Sequence, residues 1–205
     1  ETLLICASNE IFHMDEAALS IKQIVEMGTD VKDIRAAVIK DMCMRQVAAQ
    51  KTISRVFLTQ PDAAHKLNKS FNFLTDCLIH TAWILVTKVL HPLSVPSEGE
   101  RLSVLAVGGY GRGEMAPHSD VDLLFLTPNK QTPRSESVIE SMLYILWDLK
   151  LKIGHASRTV KDCLRLGRDD FTIRTAMLEH RHICGDVTIA QNLEETLWSE
   201  LFIGT

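Results

Sequence analysis

The sequence predicts an α+β protein in which a helical N-terminal segment precedes a small mixed sheet flanked by helices. Three observations predict it. From Asp15 to about His91, apolar residues recur every three to four positions with almost no helix breakers. The stretch HPLSVPSEGE, residues 91–100, then concentrates prolines, serines and a glycine. After it, RLSVLAVGG (101–109) and VDLLFLTP (121–128) have the length and composition of short buried strands. The chain therefore divides into a helical segment, residues 1–95, and an α+β domain, residues 96–205.

Within the first segment, Val31, Ile34, Val38 and Met42 form one helical stripe and Leu67, Phe71, Leu74 and Leu78 another, both read as core. Turns are expected at GTD (28–30) and TQPD (59–62), each offering an Asp or Thr as a helix cap. In the second segment, SESVIESMLYILW (135–147) has helical spacing, with Ser135 or Ser137 as its cap. In DLKLKIGHASRTV (148–160), Asp148, Lys150 and Lys152 alternate with Leu149, Leu151 and Ile153, which reads as a strand opening at Asp148. Helices are expected from Lys161 to Cys184 and again from about Ile189, with Asp169 and Asp170 capping FTIRTAML.

At 205 residues and 46% hydrophobic, the chain can bury a sizeable core. Its formal charge is −4 with no run of Lys or Arg, so no nucleic-acid partner is expected. The richest apolar run, LIHTAWILVTKVL (78–90), is interrupted by His80, Thr81 and Lys88, and no membrane partner is expected either. Five widely spaced cysteines without a C-x-x-C pair argue against a disulfide framework or a zinc site and suit a reducing cytoplasm. The first and last residues read as those of a fragment of a longer protein.

The chemistry concentrates in GGYGRGEMAPHSDVDLLFL, residues 108–126. Asp120 and Asp122 are two apart on an extended segment, so both project from one face. Hard carboxylate oxygens suit Mg²⁺, or Mn²⁺, and two such ions can hold the attacking and leaving oxygens around one phosphorus. The glycines let backbone N–H groups approach phosphate oxygens, Arg112 offers a planar fork for them, and Ser119 adds a hydroxyl. A solvated turn is the plain alternative, but two carboxylates on an otherwise apolar strand repel each other unless cations lie between them. GRGEMA (111–116) also fits the dinucleotide fingerprint, which must open a helix, whereas here Pro117 follows and a strand resumes. A P-loop is excluded because no Gly-Lys-Ser/Thr appears.

This stretch resembles the nucleotidyltransferase motif of the DNA polymerase beta-like superfamily, in the form found in bacterial PII uridylyltransferase/uridylyl-removing enzymes. LWDLKLKIGHASRTVKD and DDFTIRTAMLEHRHICGD resemble the segments that follow it there. The resemblance covers about residues 100–187. It implies a polymerase beta-like fold and transfer of UMP from UTP to a tyrosine of the PII signal protein. It places Gly108 and Gly109 at the nucleotide phosphates and Asp120 and Asp122 at the metals, with Arg112 and Ser119 where phosphate contacts are expected. The superfamily's third carboxylate is assigned to Asp148, with a helix end as the alternative reading of that residue. Of His155, Ser157 and Arg158, we choose Arg158 as a nucleotide ligand, because a cation has an evident use beside a triphosphate. Glu114 is read as a surface or loop-fixing residue rather than a ligand. Adenylyl transfer to a protein or small molecule, or a nucleotide-binding module inactive without further domains, are the rival readings.

Overall fold

The computed structural model describes residues 3–28, 30–93, 95 and 97–202. The expected turn at 28–30 includes Thr29, and the expected junction at 95/96 includes Pro96, both outside the described residues. Four helices open the chain: α1 (Ser8–Ile11), α2 (Met14–Met27), α3 (Val31–Thr59) and α4 (Ala64–Leu85). Asp30 caps α3 as expected, its carboxylate accepting from the Lys32 N–H at 2.6 Å. The buried face of α3 is Ile34, Val38, Met42, Gln46, Ala49 and Ile53, the stripe that 3.6 residues per turn requires, whereas Val31, expected in it, is exposed at the first position of the helix.

A four-stranded sheet follows, made of β1 (Ser103–Ala106), β2 (Val121–Thr127), β3 (Ile153–Thr159) and β4 (Arg181–Gly185). Its order is β3-β2-β1-β4, with β2 and β3 parallel and the other pairs antiparallel. The remaining helices are α5 (Gly108–Gly111), α6 (Pro133–Asp148), α7 (Val160–Asp169), α8 (Phe171–Leu178) and α9 (Val187–Leu197). The parallel pair needs a long crossover, and α6 supplies it. Both sheet faces are buried. Val104, Ala106, Leu123 and Phe125 share one core with α2–α4 and α6, while Leu105, Leu124 and Leu126 pack with Cys163, Met177, Ile189 and Leu193. The expected α+β architecture is the one found, and its helical segment is the layer that covers one face of the sheet.

Three local expectations are corrected. The first concerns the cap of α6. It is Thr132, which accepts from the Ser135 N–H while the Ser135 hydroxyl accepts from the Thr132 N–H, with Pro133 beginning the first turn. Second, Asp148 does not open a strand. It is the last residue of α6, and Lys150 takes a positive φ of 61° so that Leu151 N–H returns to Leu146 C=O and Lys150 N–H to Trp147 C=O. This left-handed helix ending is the physical reason for the Leu-Lys-Leu alternation, and β3 begins only at Ile153. Third, the helices expected from Lys161 to Cys184 stop short of it: α7 and α8 form, with Asp170 capping α8 as expected, but Arg181–Gly185 is a strand that pairs with β1.

β4 is fastened where it ends. Asp186 accepts from Arg101 Nε at 2.6 Å and from the Thr188 N–H at 2.9 Å. The Arg101 hydrogen bond, supported by Thr188, holds the Asp186 carboxyl down from 3.8 to about 2. A depressed carboxylate stabilises the fold above its unfolded pKa and loses that contribution as pH falls through its folded value. We therefore expect the thermal midpoint to drop between pH 4 and pH 2, and the drop to be smaller in Asp186→Asn, as followed by circular dichroism.

Ala64–Leu90, comprising α4 and the π-helical turn Val86–Leu90, is long and apolar enough by length and composition to cross a membrane. Half of its most apolar stretch is buried within this fold.

Candidate active site

β1 runs into the glycine turn α5, and the chain returns through residues 112–120 to β2, which pairs antiparallel with β1. Val107 N–H donates to Asp122 C=O at 3.1 Å, so the turn and the carboxylate strand meet at one end of the sheet. Asp120 and Asp122 are exposed on either side of buried Val121, as alternation along a strand dictates. In the parallel register Asp122 lies opposite Gly154, where a Cβ would stand 2.3 Å from the Asp122 Oδ1. On the other side, a Cβ on Gly108 would lie 3.7 Å from Oδ2. The carboxylate thus occupies space that a side chain on the neighbouring strand would need.

Asp122, Gly108 and Gly154 line a cavity of about 250 Å³ that continues along β2 and β3 to α8 and includes His155 and Arg158. Gly154, Ala156 and Arg158 alternate onto the face that Asp122 shares. Arg158 is half-buried and, among the described residues, its guanidinium has neither an ion-pair partner nor a hydrogen bond. Arg112 differs in this respect. Its Nε donates to Glu114 at 2.9 Å and its Nη1 to Glu179 at 2.5 Å, so two carboxylates already neutralise it. Of the two readings of Glu114, surface or loop-fixing, its bond to Arg112 within the loop favours the second, on a side chain that is also exposed.

Asp148 lies apart from this cavity. Its carboxylate accepts from Arg35 Nη2 at 2.8 Å, and together with His118, Ser119 and Lys150 it lines a second cavity, of about 390 Å³, against α3 and α4. The geometric reason for expecting Asp148 beside Asp120 and Asp122 falls away with its strand. Neither β1, β3 nor β4 carries a carboxylate. Among the described residues, no group of three or more His, Cys, Asp or Glu side chains is placed to hold a metal ion.

Three residues around the turn were missed in the sequence. Tyr110, fully buried, donates its hydroxyl to Asp76 Oδ1 at 2.6 Å, and Arg181 donates to both Asp76 oxygens at 2.8 and 3.1 Å. Burial, and then the adjacent Asp76 charge, push the Tyr110 phenol well above its usual range, which keeps it a donor. The one signal available was an aspartate within the apolar run FLTDCLI of a helix.

The family described as "Nucleotidyltransferase domain" matches residues 93–167. Over 186 residues, 89% of the chain, the sequence is 55% identical to a bifunctional uridylyltransferase/uridylyl-removing enzyme of Ruegeria pomeroyi. It is 53% identical over 196 residues to the enzyme so named in Cereibacter sphaeroides, and 41% identical over 193 residues to that of Caulobacter vibrioides. The chain spans about a fifth of the length of these relatives. A carboxylate strand beside a glycine turn, matched by the family over that very region and by these relatives over most of the sequence, establishes that the chain carries a nucleotidyltransferase domain akin to that of the bacterial bifunctional uridylyltransferase/uridylyl-removing enzymes.

Proposed function

We propose that this domain transfers UMP from UTP to a tyrosine hydroxyl of the PII nitrogen-signalling protein, releasing pyrophosphate, in the reducing cytoplasm that five unpaired cysteines suit. The observation that carries the reading is that Asp122, two residues from the exposed Asp120, lines a cavity that also holds Arg158, whose guanidinium has no ion-pair partner among the described residues. Mg²⁺ fits this donor set: it is commonly bound by one or two carboxylates, with substrate phosphates and water completing the shell, so two aspartates suffice. Asp120 and Asp122 would hold the ion, which supplies charge neutralisation at the phosphates and a lower pKa for the acceptor hydroxyl.

The chain's own residues divide the remaining tasks. Gly108 and Gly109 present first-turn N–H groups, which have no intrahelical acceptor, to the triphosphate. Arg158 takes up its negative charge from the facing strand. Ser119 and Arg112 stand on the loop between turn and strand, with Arg112 holding that loop to Glu179. The acceptor oxygen forms the new bond to the α-phosphorus as the bond to the bridging oxygen breaks, and pyrophosphate carries away the electron pair. A tyrosine phenol has a pKa of about 10, against about 15.7 for water. Its proton can leave to solvent, which suits a site whose neighbouring strands carry no carboxylate to receive it.

Labelling of PII from α-labelled UTP, and in parallel from α-labelled ATP, each in competition with the other nucleotide unlabelled, tests the reading. UTP-dependent labelling that ATP does not suppress supports it; labelling from ATP alone would assign adenylyl transfer instead. In the same assay, Arg158→Ala should raise the KM for UTP by about 10- to 100-fold, the equivalent of about 1.5–3 kcal/mol for a charge-assisted hydrogen bond.

A further inference from the structure

α4 carries a carboxylate where its neighbours are apolar. Leu74, Thr75, Cys77, Leu78 and Ile79 around Asp76 are all buried and Asp76 itself is half-buried, so its charge has lost part of its hydration and gains from being paired and hydrogen-bonded. Both partners come from distant parts of the chain: Tyr110 from the glycine turn and Arg181 from β4. Arg181 stands in register with Ala106, the last residue of β1 before the turn. Its guanidinium also donates to the Tyr110 and Gly111 carbonyls, each at 3.4 Å, and lies 5.4 Å from the centre of the Tyr110 ring. One side chain therefore touches the ring and two successive carbonyls of a four-residue helix.

Such a helix cannot hold its own shape, because its few hydrogen bonds do not offset the entropy of fixing the first turn. The shape is imposed from outside. Lys69 Nζ of α4 donates to the Arg112 carbonyl at 3.3 Å, Arg112 reaches Glu179, and the Asp76–Arg181 pair grips the turn at Tyr110. We infer that Asp76, Tyr110 and Arg181 are positioning residues for the phosphate-facing glycine turn, acting through Gly108–Gly111 on the nucleotide without touching it. The inference rests on the proposed nucleotidyl transfer for what the turn binds. It also makes the helical segment part of the working site, since Asp76 precedes residue 93, where the family match begins.

The test uses Tyr110→Phe and Asp76→Asn in the full-length protein, with their double variant. Tyr110→Phe keeps the buried ring and removes one hydroxyl, so it should fold. The KM for UTP should rise about tenfold in each single variant, and the double variant should be no worse than the worse single, because both break one linkage. Hydrogen exchange of the turn amides, read without nucleotide, should speed up about tenfold in both. A fall in kcat at unchanged KM would indicate a smaller folded fraction and overturn the inference, as would unchanged exchange. If the turn loosens but the unmodified protein neither binds nor uses UTP, the positioning role stands and the uridylyl reading fails.

Discussion

Asp122→Asn is expected to lower nucleotidyl transfer by about 10³-fold or more, about 4 kcal/mol of transition-state stabilisation, while the protein stays folded. The substitution changes almost no volume and removes one negative charge from a carboxylate that faces the cavity and packs over Gly154. Its backbone role is untouched, since the Asp122 carbonyl still accepts from the Val107 N–H. The thermal midpoint should therefore change little, because the side chain is exposed and contributes nothing to either core. Transfer rates above a tenth of the unmodified protein's, measured at saturating UTP and divalent cation, would remove Asp122 from the metal platform.

Gly111→Ala should act on stability instead. A Cβ there would lie 1.9 Å from the Glu179 carbonyl oxygen, 3.0 Å from its carbon and 3.1 Å from the Ala106 oxygen. All three are backbone atoms of neighbouring elements, so no side chain can swing aside, and either α5 or the end of α8 must move. We expect a loss of about 3 kcal/mol or more, at the upper end of overpacking costs, and a thermal midpoint lower by about 6–12 °C. A scanning calorimetry trace matching that of the unmodified protein would mean that the α5 to α8 approach is looser than described. The contrast with Gly154 is instructive: there the obstructing atom belongs to the Asp122 side chain, which can move, so stability and site geometry part company.

What could be read from the sequence was what local periodicity encodes. The long stripe of α3, its Asp30 cap and the apolar β2 with two aspartates at its mouth each declare themselves within a dozen residues. The errors came where one local pattern serves two structures. Leu149-Lys150-Leu151 alternates like a strand, yet it is a helix ending made by one residue at positive φ, and this carried Asp148 to the wrong element. β4 is five residues, partly apolar and interrupted by a register shift against β1, too short for periodicity to separate it from a helix. The ties of Asp76 to Tyr110 and Arg181 span 34 and 105 residues, and no spacing rule reaches that far. Arg112 and Arg158 looked equivalent as cations, and only the positions of Glu114 and Glu179 distinguish them.

The sheet order bears on how the chain is made as well as on how it works. β1 is hydrogen-bonded to β2 on one flank and to β4 on the other, and β4 ends about 60 residues after β2 does. At about 5–20 residues per second, a ribosome needs roughly 3–12 s to supply the missing flank. Throughout that interval the free edge of β1 offers unpaired N–H and C=O groups beside an apolar surface, the condition under which nascent strands pair with the wrong neighbour. Gly185 is the last residue of the strand that closes the edge, and the Asp186 carboxylate that fastens β4 to Arg101 is the very next to emerge, so closing and latching the edge follow one upon the other.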